Sequence, residues 1–168
     1  MGDYAEQMVK NCAIVQAFPP IDTTGAAQSG TPISLKKFDH VTVIIQTGAW
    51  AGGVAAVTLT QDTSVTPTGG VQALAFTHYY TNQAAPGSNV FVDTACASTF
   101  NIAAIANCTY AIEVDTDTLD ITNGFDCMRV EVASPGAAAC LISATYICSK
   151  GRYAGASASI PDVTIDAN

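Results

Sequence analysis

Hydrophobic and polar residues alternate along much of the chain, and this pattern is typical of half-buried β-strands. The clearest example is the β-branched run at residues 38–46. Residues 54–61 alternate in the same way, and a Gly-rich segment that contains Trp50 separates the two runs. The spacing predicts two strands joined as a hairpin.

Further strands follow between segments rich in Gly, Pro and Asn, which favour turns. Residues 71–81 predict a third strand, with Leu74, Phe76, His78 and Tyr80 on one face. Other candidate strands lie at residues 90–92, 100–105, 110–115, 127–133 and 139–149. Residues 115–120 predict a loop or one helical turn, and Asn123-Gly124 predicts a turn. About eight strands without a long amphipathic helix predict an all-β fold, an antiparallel β-sandwich or jelly-roll-like single domain.

The two ends of the chain differ from this middle region. Residues 1–33 are irregular and predict an extended N-terminal arm with at most one short strand, at residues 12–17. Residues 34–153 form the predicted β-sandwich domain, and residues 154–168 form a small, polar C-terminal tail. Our hypothesis is that residues 1–33 and 151–168 act as straps at an interface.

Composition narrows the classes of partner. Hydrophobic residues make up 49% of the 168 residues and charged residues only 12%, which is about half the usual charged share. The net charge of -8 argues against nucleic acid, since binding to phosphates depends on basic residues. No apolar run approaches a membrane span, and the first residues lack the features of a signal peptide, so we expect no membrane partner and no export.

Sequence motifs give little sign of enzymatic chemistry. The six cysteines form no C-x-x-C pair, so we expect buried thiols, with a disulfide between neighbouring strands as the alternative. Nucleophile-elbow, phosphate-loop and zinc-protease patterns are absent from the sequence, and His, Lys and Arg are scarce. We expect a protein that is not an enzyme and that needs no cofactor.

Two groups of residues invite a metal site. His40 and His78 lie in predicted strands, but their spacing is not that of a ligand pair, and we interpret them as structural. Asp115, Asp117 and Asp120 lack the Gly and terminal Glu of an EF-hand loop. We predict no metal, and a loose surface calcium site at residues 115–120 stays open as an alternative.

Trp50, the only tryptophan, is either a core residue or an exposed anchor of a binding loop. The candidate interface residues are Phe18, Pro19 and Pro20 in the arm, Trp50 in the loop, and Arg152 and Tyr153 at the end of the domain.

Several segments together resemble the small structural proteins of tailed bacteriophages that decorate or cement the head. The resemblance covers about residues 34–153, in the segments 34–48, 56–61, 73–82, 110–115, 123–130 and 144–153. It implies a virion protein, made in the host cytoplasm, that binds the outside of the assembled capsid and stabilises it. The implied partners are the major capsid protein and further copies of the chain, with a homotrimer favoured.

Two other classes remain open. A glycan-binding or tail-associated adhesion module would be favoured if Trp50 formed an exposed aromatic platform with Tyr79 or Tyr80. A small coat protein would instead assemble into a shell by itself.

Overall fold

A computed structural model describes residues 8–66, 70–83, 87–102 and 105–152. Two antiparallel β-sheets pack face to face, which confirms the predicted all-β sandwich. Helical structure in the described residues is limited to one short helix, α1 (Met8–Asn11), and two 3₁₀ turns (Thr116–Thr118 and Ile121–Asn123). The first of these turns is the helical turn predicted at residues 115–120.

The described part of the chain contains twelve strands. In chain order they are β1 (Ala13–Asp22), β2 (Gln28–Ser29), β3 (Ile33–Ser34), β4 (Phe38–Trp50), β5 (Ala55–Asp62), β6 (Gln72–Leu74), β7 (His78–Asn82), β8 (Val92–Ala95), β9 (Thr99–Ile102), β10 (Thr109–Asp115), β11 (Cys127–Val132) and β12 (Cys140–Gly151).

The first sheet has the strand order β1-β12-β4-β10-β7-β8, so β1 and β8 are its two edges. The second sheet has the order β2-β11-β5-β6, and β3 and β9 add to it by pairing with β11 and β5. Strands that are adjacent in the first sheet, such as β4 and β12, are far apart in sequence. The fold therefore depends on long-range pairing.

Alternation along the strands produces the core. In β4 the side chains of Val41, Val43 and Ile45 are fully buried between the sheets, while the residues between them face outward. Burying one such side chain contributes about 1.5–3 kcal/mol.

A buried tyrosine links the two sheets. Tyr146 of β12 is fully buried, and its hydroxyl accepts a hydrogen bond of 2.9 Å from the backbone N–H of Val130 in the opposite sheet. Gly30 passes beside this hydroxyl, and a Cβ added to Gly30 would lie 2.4 Å from it. Glycine is therefore required where the chain crosses this contact.

The predicted hairpin at residues 38–61 is wrong, because β4 belongs to the first sheet and β5 to the second. β4 runs on through the Gly-rich segment to Trp50, and the chain then crosses between the sheets. Gly53 makes this crossing with φ +79°, and a Cβ there would lie 1.8 Å from the carbonyl oxygen of Pro135. The glycines thus mark a change of sheet instead of a tight turn within one sheet.

The single strand predicted at residues 71–81 is also wrong. It is divided into β6 in the second sheet and β7 in the first. Leu74 and Phe76 are buried, whereas His78 is exposed, so the four predicted residues do not share one face. The break at residues 75–77 lets the chain cross between sheets, and alternation alone does not reveal such a crossing.

The predicted arm contributes strands of the sandwich. The expectation of at most one short strand is wrong, because β1 has ten residues and pairs with β12, while β2 and β3 both pair with β11. Ala17 and Phe18 of β1 are buried in the core, which gives this segment a reason to pair. The turn predicted at Asn123-Gly124 is confirmed, with Gly124 at φ +85°.

Candidate interaction surfaces

The predicted interface residues lie in the core, on the β1 edge and just after the end of β12. Phe18 and Trp50 are only 5% and 7% exposed, so neither is an anchor for a partner. The indole N–H of Trp50 donates to the carbonyl oxygen of Gly53 at 3.2 Å, which satisfies its polar atom inside the fold. Trp50 is therefore the core residue of the two alternatives, and no exposed platform of Trp50 with Tyr79 or Tyr80 exists.

Pro19 and Pro20 are exposed and lie on the outer edge of β1. The pairing between β1 and β12 shifts register on both sides of Phe18, so the edge is irregular at this point. Proline has no N–H to donate, and it is tolerated on an edge strand where no partner needs one. These residues make the β1 edge unsuitable for pairing with another strand.

Arg152 anchors the end of β12. Its backbone N–H donates to the carbonyl of Lys37 at 2.9 Å, and its Nη2 donates to Oγ1 of Thr116 at 2.9 Å. Its Nε also lies 2.7 Å from a carboxylate oxygen of Asp39. The guanidinium is used within the fold, and it fixes the point from which the C-terminal residues leave. Tyr153 lies outside the described residues.

The predicted residues near Phe18 and those near Arg152 lie at different positions along the first sheet. Phe18 pairs with Ala144, and Arg152 follows eight residues later along the same strand direction. At about 3.3 Å per residue, the two sites are separated by about 26 Å.

The other edge of the first sheet, at β8, is open. Within the described residues β8 pairs only with β7. The N–H of Cys96 donates to the carbonyl oxygen of Thr77, so it points to the β7 side. N–H directions alternate along a strand, so the N–H groups of Asp93 and Ala95 point away from β7, to the open side. Three consecutive apolar residues precede or begin the strand: Val90, Phe91 and Val92 are 65%, 44% and 59% exposed.

An inner groove lies on the core-facing side of this edge, and an outer groove lies over β4, β10 and β7 on the outer face of the same sheet. The inner groove has a volume of about 410 Å³ and is lined by uncharged residues: Tyr79, Thr81, Gln83, Val90, Val92, Thr94, Asn101 and Tyr110. Tyr79 forms its floor by stacking on Phe100, with ring centroids 4.1 Å apart. The outer groove has a volume of about 370 Å³ and is lined by Thr42, Ile44, Tyr80, Phe91, Ala111 and Glu113.

The candidate interface residues chosen from the sequence did not include residues 90–92, although these three residues are apolar. Residues 90–92 were interpreted as a weak strand because they are apolar and short. Their position at an edge depends on the strand order, which the local pattern does not contain.

A histidine joins two carboxylates on the outer face of the first sheet. The two ring nitrogens of His40 lie 2.7 Å from Asp115 and 2.6 Å from Glu113. The hydrogen bond from His40 lowers the pKa of Asp115, and Lys150 adds to this effect. His78 pairs separately with Asp93 at 2.8 Å. The two histidines therefore do not meet.

The described residues contain no group of three His, Cys, Asp or Glu side chains that could hold a metal ion. Asp115 is engaged by His40, and Asp120 accepts a hydrogen bond from Asn123. Two of the three aspartates considered for calcium, Asp115 and Asp120, thus serve as local hydrogen-bond acceptors.

All six cysteines are free thiols. Four are buried, while Cys12 and Cys96 are partly exposed. Burial raises the pKa of both Cys127 and Cys148 to about 12, which keeps these thiols protonated and unreactive. The prediction of buried thiols is confirmed for these four residues.

None of the helices in the described residues is long and apolar enough to cross a membrane.

The chain matches no protein-family model, and no curated protein matches it. Among solved structures it has a weak similarity to the SPBc2 prophage-derived protein YomS, with a TM-score of 0.45 and 12% sequence identity. The alignment covers 82% of this chain and 93% of that one.

Proposed function

We propose that this protein is a non-enzymatic decoration protein that binds the outside of an assembled phage capsid and stabilises the shell. The observation that carries the proposal is an uncharged row across the outer face of the first sheet. Strand pairing places five residues side by side in this row: Gln16, Thr145, Ile44 and Tyr80, which are at least partly exposed, and Ala111, which is buried among its neighbours. The sequence resemblance described above gives the row its proposed partner, the major capsid protein.

This row suits an extensive protein interface. Five adjacent strands at about 4.8 Å spacing span about 19 Å. Charged residues are depleted at the centre of protein interfaces because their desolvation is costly. The ionisable residues His40, Glu113 and Asp115 lie toward one end of the sheet, where they would form a polar rim.

Stabilisation of the shell follows from selective binding. A protein that binds the assembled shell but not its dissociated subunits shifts the equilibrium toward the shell. At a free concentration one hundred times Kd, each bound site contributes about 2.7 kcal/mol. Several copies on one head would add their contributions.

The test uses empty phage heads that lack this protein. The wild-type protein should bind these heads and raise the temperature at which they rupture. Thr145→Asp introduces a charge into the row and should weaken binding at least tenfold, which corresponds to about 1.4 kcal/mol.

Thr60→Asp is the matched control. Thr60 faces outward on the second sheet beside Arg129, so the same charge change should leave head binding unaltered. Wild-type protein that neither binds heads nor alters their rupture temperature would contradict the proposal, as would equal effects of the two substitutions. A large closed particle formed by the protein alone would identify a coat protein instead.

A further inference from the structure

The two edges of the first sheet differ in their capacity to accept a strand. The β1 edge carries Pro19 and Pro20 and is interrupted by register shifts. The β8 edge contains no proline and directs the N–H groups of Asp93 and Ala95 outward. An unprotected edge of this kind is a template for pairing with another chain.

The inner groove at the β8 edge fits an added strand. Successive side chains of a strand point to opposite faces, so an added strand would direct every second side chain toward the inner groove. In recognition by strand addition, backbone hydrogen bonds supply affinity, and pockets for alternate side chains supply specificity. Val90 and Val92 provide apolar contacts on the inner side, and Phe91 does so on the outer side.

The C-terminal sequence contains residues that favour a strand. Sixteen residues follow Arg152, and residues 160–165 read Ile-Pro-Asp-Val-Thr-Ile. Val163 and Ile165 would point to one face of a strand, and β-branched residues of this kind favour strand structure. Residues 153–159 are mostly Ala, Gly and Ser and would serve as a linker from the anchor at Arg152.

The length of the linker determines how easily residues 160–165 could reach the β8 edge of their own chain compared with the β8 edge of a neighbouring copy. From β12 to a strand added beyond β8 the chain must cross five strand spacings, about 24 Å. Seven linker residues extend to at most about 25 Å, but a flexible linker of that length averages only about 15 Å. Docking on the chain's own edge would require an almost straight linker around the end of the sheet, whereas an adjacent copy imposes no such requirement.

We propose that residues 160–165 of a second copy of this chain add an antiparallel strand to the β8 edge. Each copy would donate its C-terminal segment to one neighbour and receive a segment from another. Such a contact is heterologous, and it produces a closed ring when the rotation between copies closes. This proposal concerns assembly of the protein and does not depend on binding to phage heads.

Two variants test the donated segment and the accepting β8 edge separately. A chain that ends at Tyr153 keeps the β8 edge but lacks the donated segment. Ala95→Pro keeps the segment but removes an outward N–H, at an edge position where proline spares the β7–β8 hydrogen bonds. Ala95→Thr retains the N–H and is the matched control, and Val163→Asp should behave like the truncated chain if Ala95→Pro does not fold.

Light scattering and thermal melting then test whether copies of the chain exchange their C-terminal segments. The wild-type chain and Ala95→Thr should be discrete oligomers, and the truncated chain and Ala95→Pro should be folded monomers. Mixing the truncated chain with Ala95→Pro should restore a 1:1 complex, because one supplies the edge and the other the segment.

Three results would overturn the exchange. The first is a wild-type oligomer that persists unchanged in both variants. The second is a mixture of the two variants that stays monomeric. The third is a monomeric wild-type chain that truncation destabilises, which would place the segment on the chain's own edge.

Discussion

Removing one oxygen atom tests the contact between the two sheets. β2 pairs with Glu131 and Val132 of β11, whereas β3 pairs farther along the same strand, with Cys127 and Met128. The N–H of Val130 lies in the gap between them and donates to the hydroxyl of Tyr146 at 2.9 Å. Tyr146→Phe removes this acceptor and leaves the ring in place.

The expected loss of unfolding free energy follows from burial of the unpaired N–H of Val130. Tyr146 is fully buried, and a donor left unsatisfied in such a site costs about 1–3 kcal/mol. We expect no water to replace the hydroxyl, because a bridging water needs room for about one probe sphere and at least two polar partners. We expect Tyr146→Phe to lose about 1–3 kcal/mol of unfolding free energy, with a fall in Tm of about 2–4 °C per kcal/mol.

Urea unfolding at 25 °C and neutral pH measures this loss, with Tyr80→Phe as the control because Tyr80 is half-exposed on the outer face. The control should change stability by less than about 0.5 kcal/mol. Burial also raises the pKa of Tyr146 above its ordinary value of 10.0, so the tyrosine's contribution is complete below pH 10 and is lost as the pH rises above it. A loss below about 0.3 kcal/mol at neutral pH would refute the argument from the unsatisfied donor.

Three further changes test other parts of the fold. Gly53→Ala should destabilise the protein by more than about 1 kcal/mol in urea unfolding, because a Cβ at φ +79° meets a backbone carbonyl; wild-type stability would contradict this. His40→Gln should raise the pKa of Asp115 in an NMR titration, because His40 lowers it. The stability that this lowered pKa contributes is present above the ordinary value of 3.8 and is lost as the pH falls through the folded value, so the variant should show a weaker acid dependence. Replacing Pro19 and Pro20 with Thr should open the β1 edge and increase aggregation, measured by light scattering, whereas unchanged solubility would show that the prolines do not protect it.

The sequence predicts the individual strands better than their pairing. Strands β4, β5, β10, β11 and β12 lie close to their predicted positions, because each alternates between buried and outward residues. The hairpin at residues 38–61 fails because alternation has the same period whether the next strand joins the same sheet or the opposite one. The change of sheet depends on contacts such as that between Gly53 and Pro135, which are 82 residues apart in sequence.

The functional surfaces depend even more on tertiary structure. Arg152 is a candidate interface residue in the sequence, but Asp39 and Thr116 bind its guanidinium across the end of the sheet. Phe18 and Trp50 are aromatic residues in segments without strong periodicity, and both fill the core. Conversely, the exposed apolar residues 90–92 gain their significance only from the position of β8 at an edge.

The two proposed interactions use regions of the first sheet that can be tested separately, although the outer groove includes Ile44 and Tyr80 of the uncharged row. Thr145 lies on β12, outside that groove, so Thr145→Asp should weaken head binding without altering oligomerisation. Ala95→Pro leaves the part of the row from Gln16 to Ile44 unchanged but should yield a monomer. If oligomerisation strengthens head binding through avidity, this monomer should bind heads about 10²–10⁴-fold more weakly than the wild-type oligomer. Equal affinity would mean that each copy binds the shell independently, and that exchange of the C-terminal segment serves assembly alone.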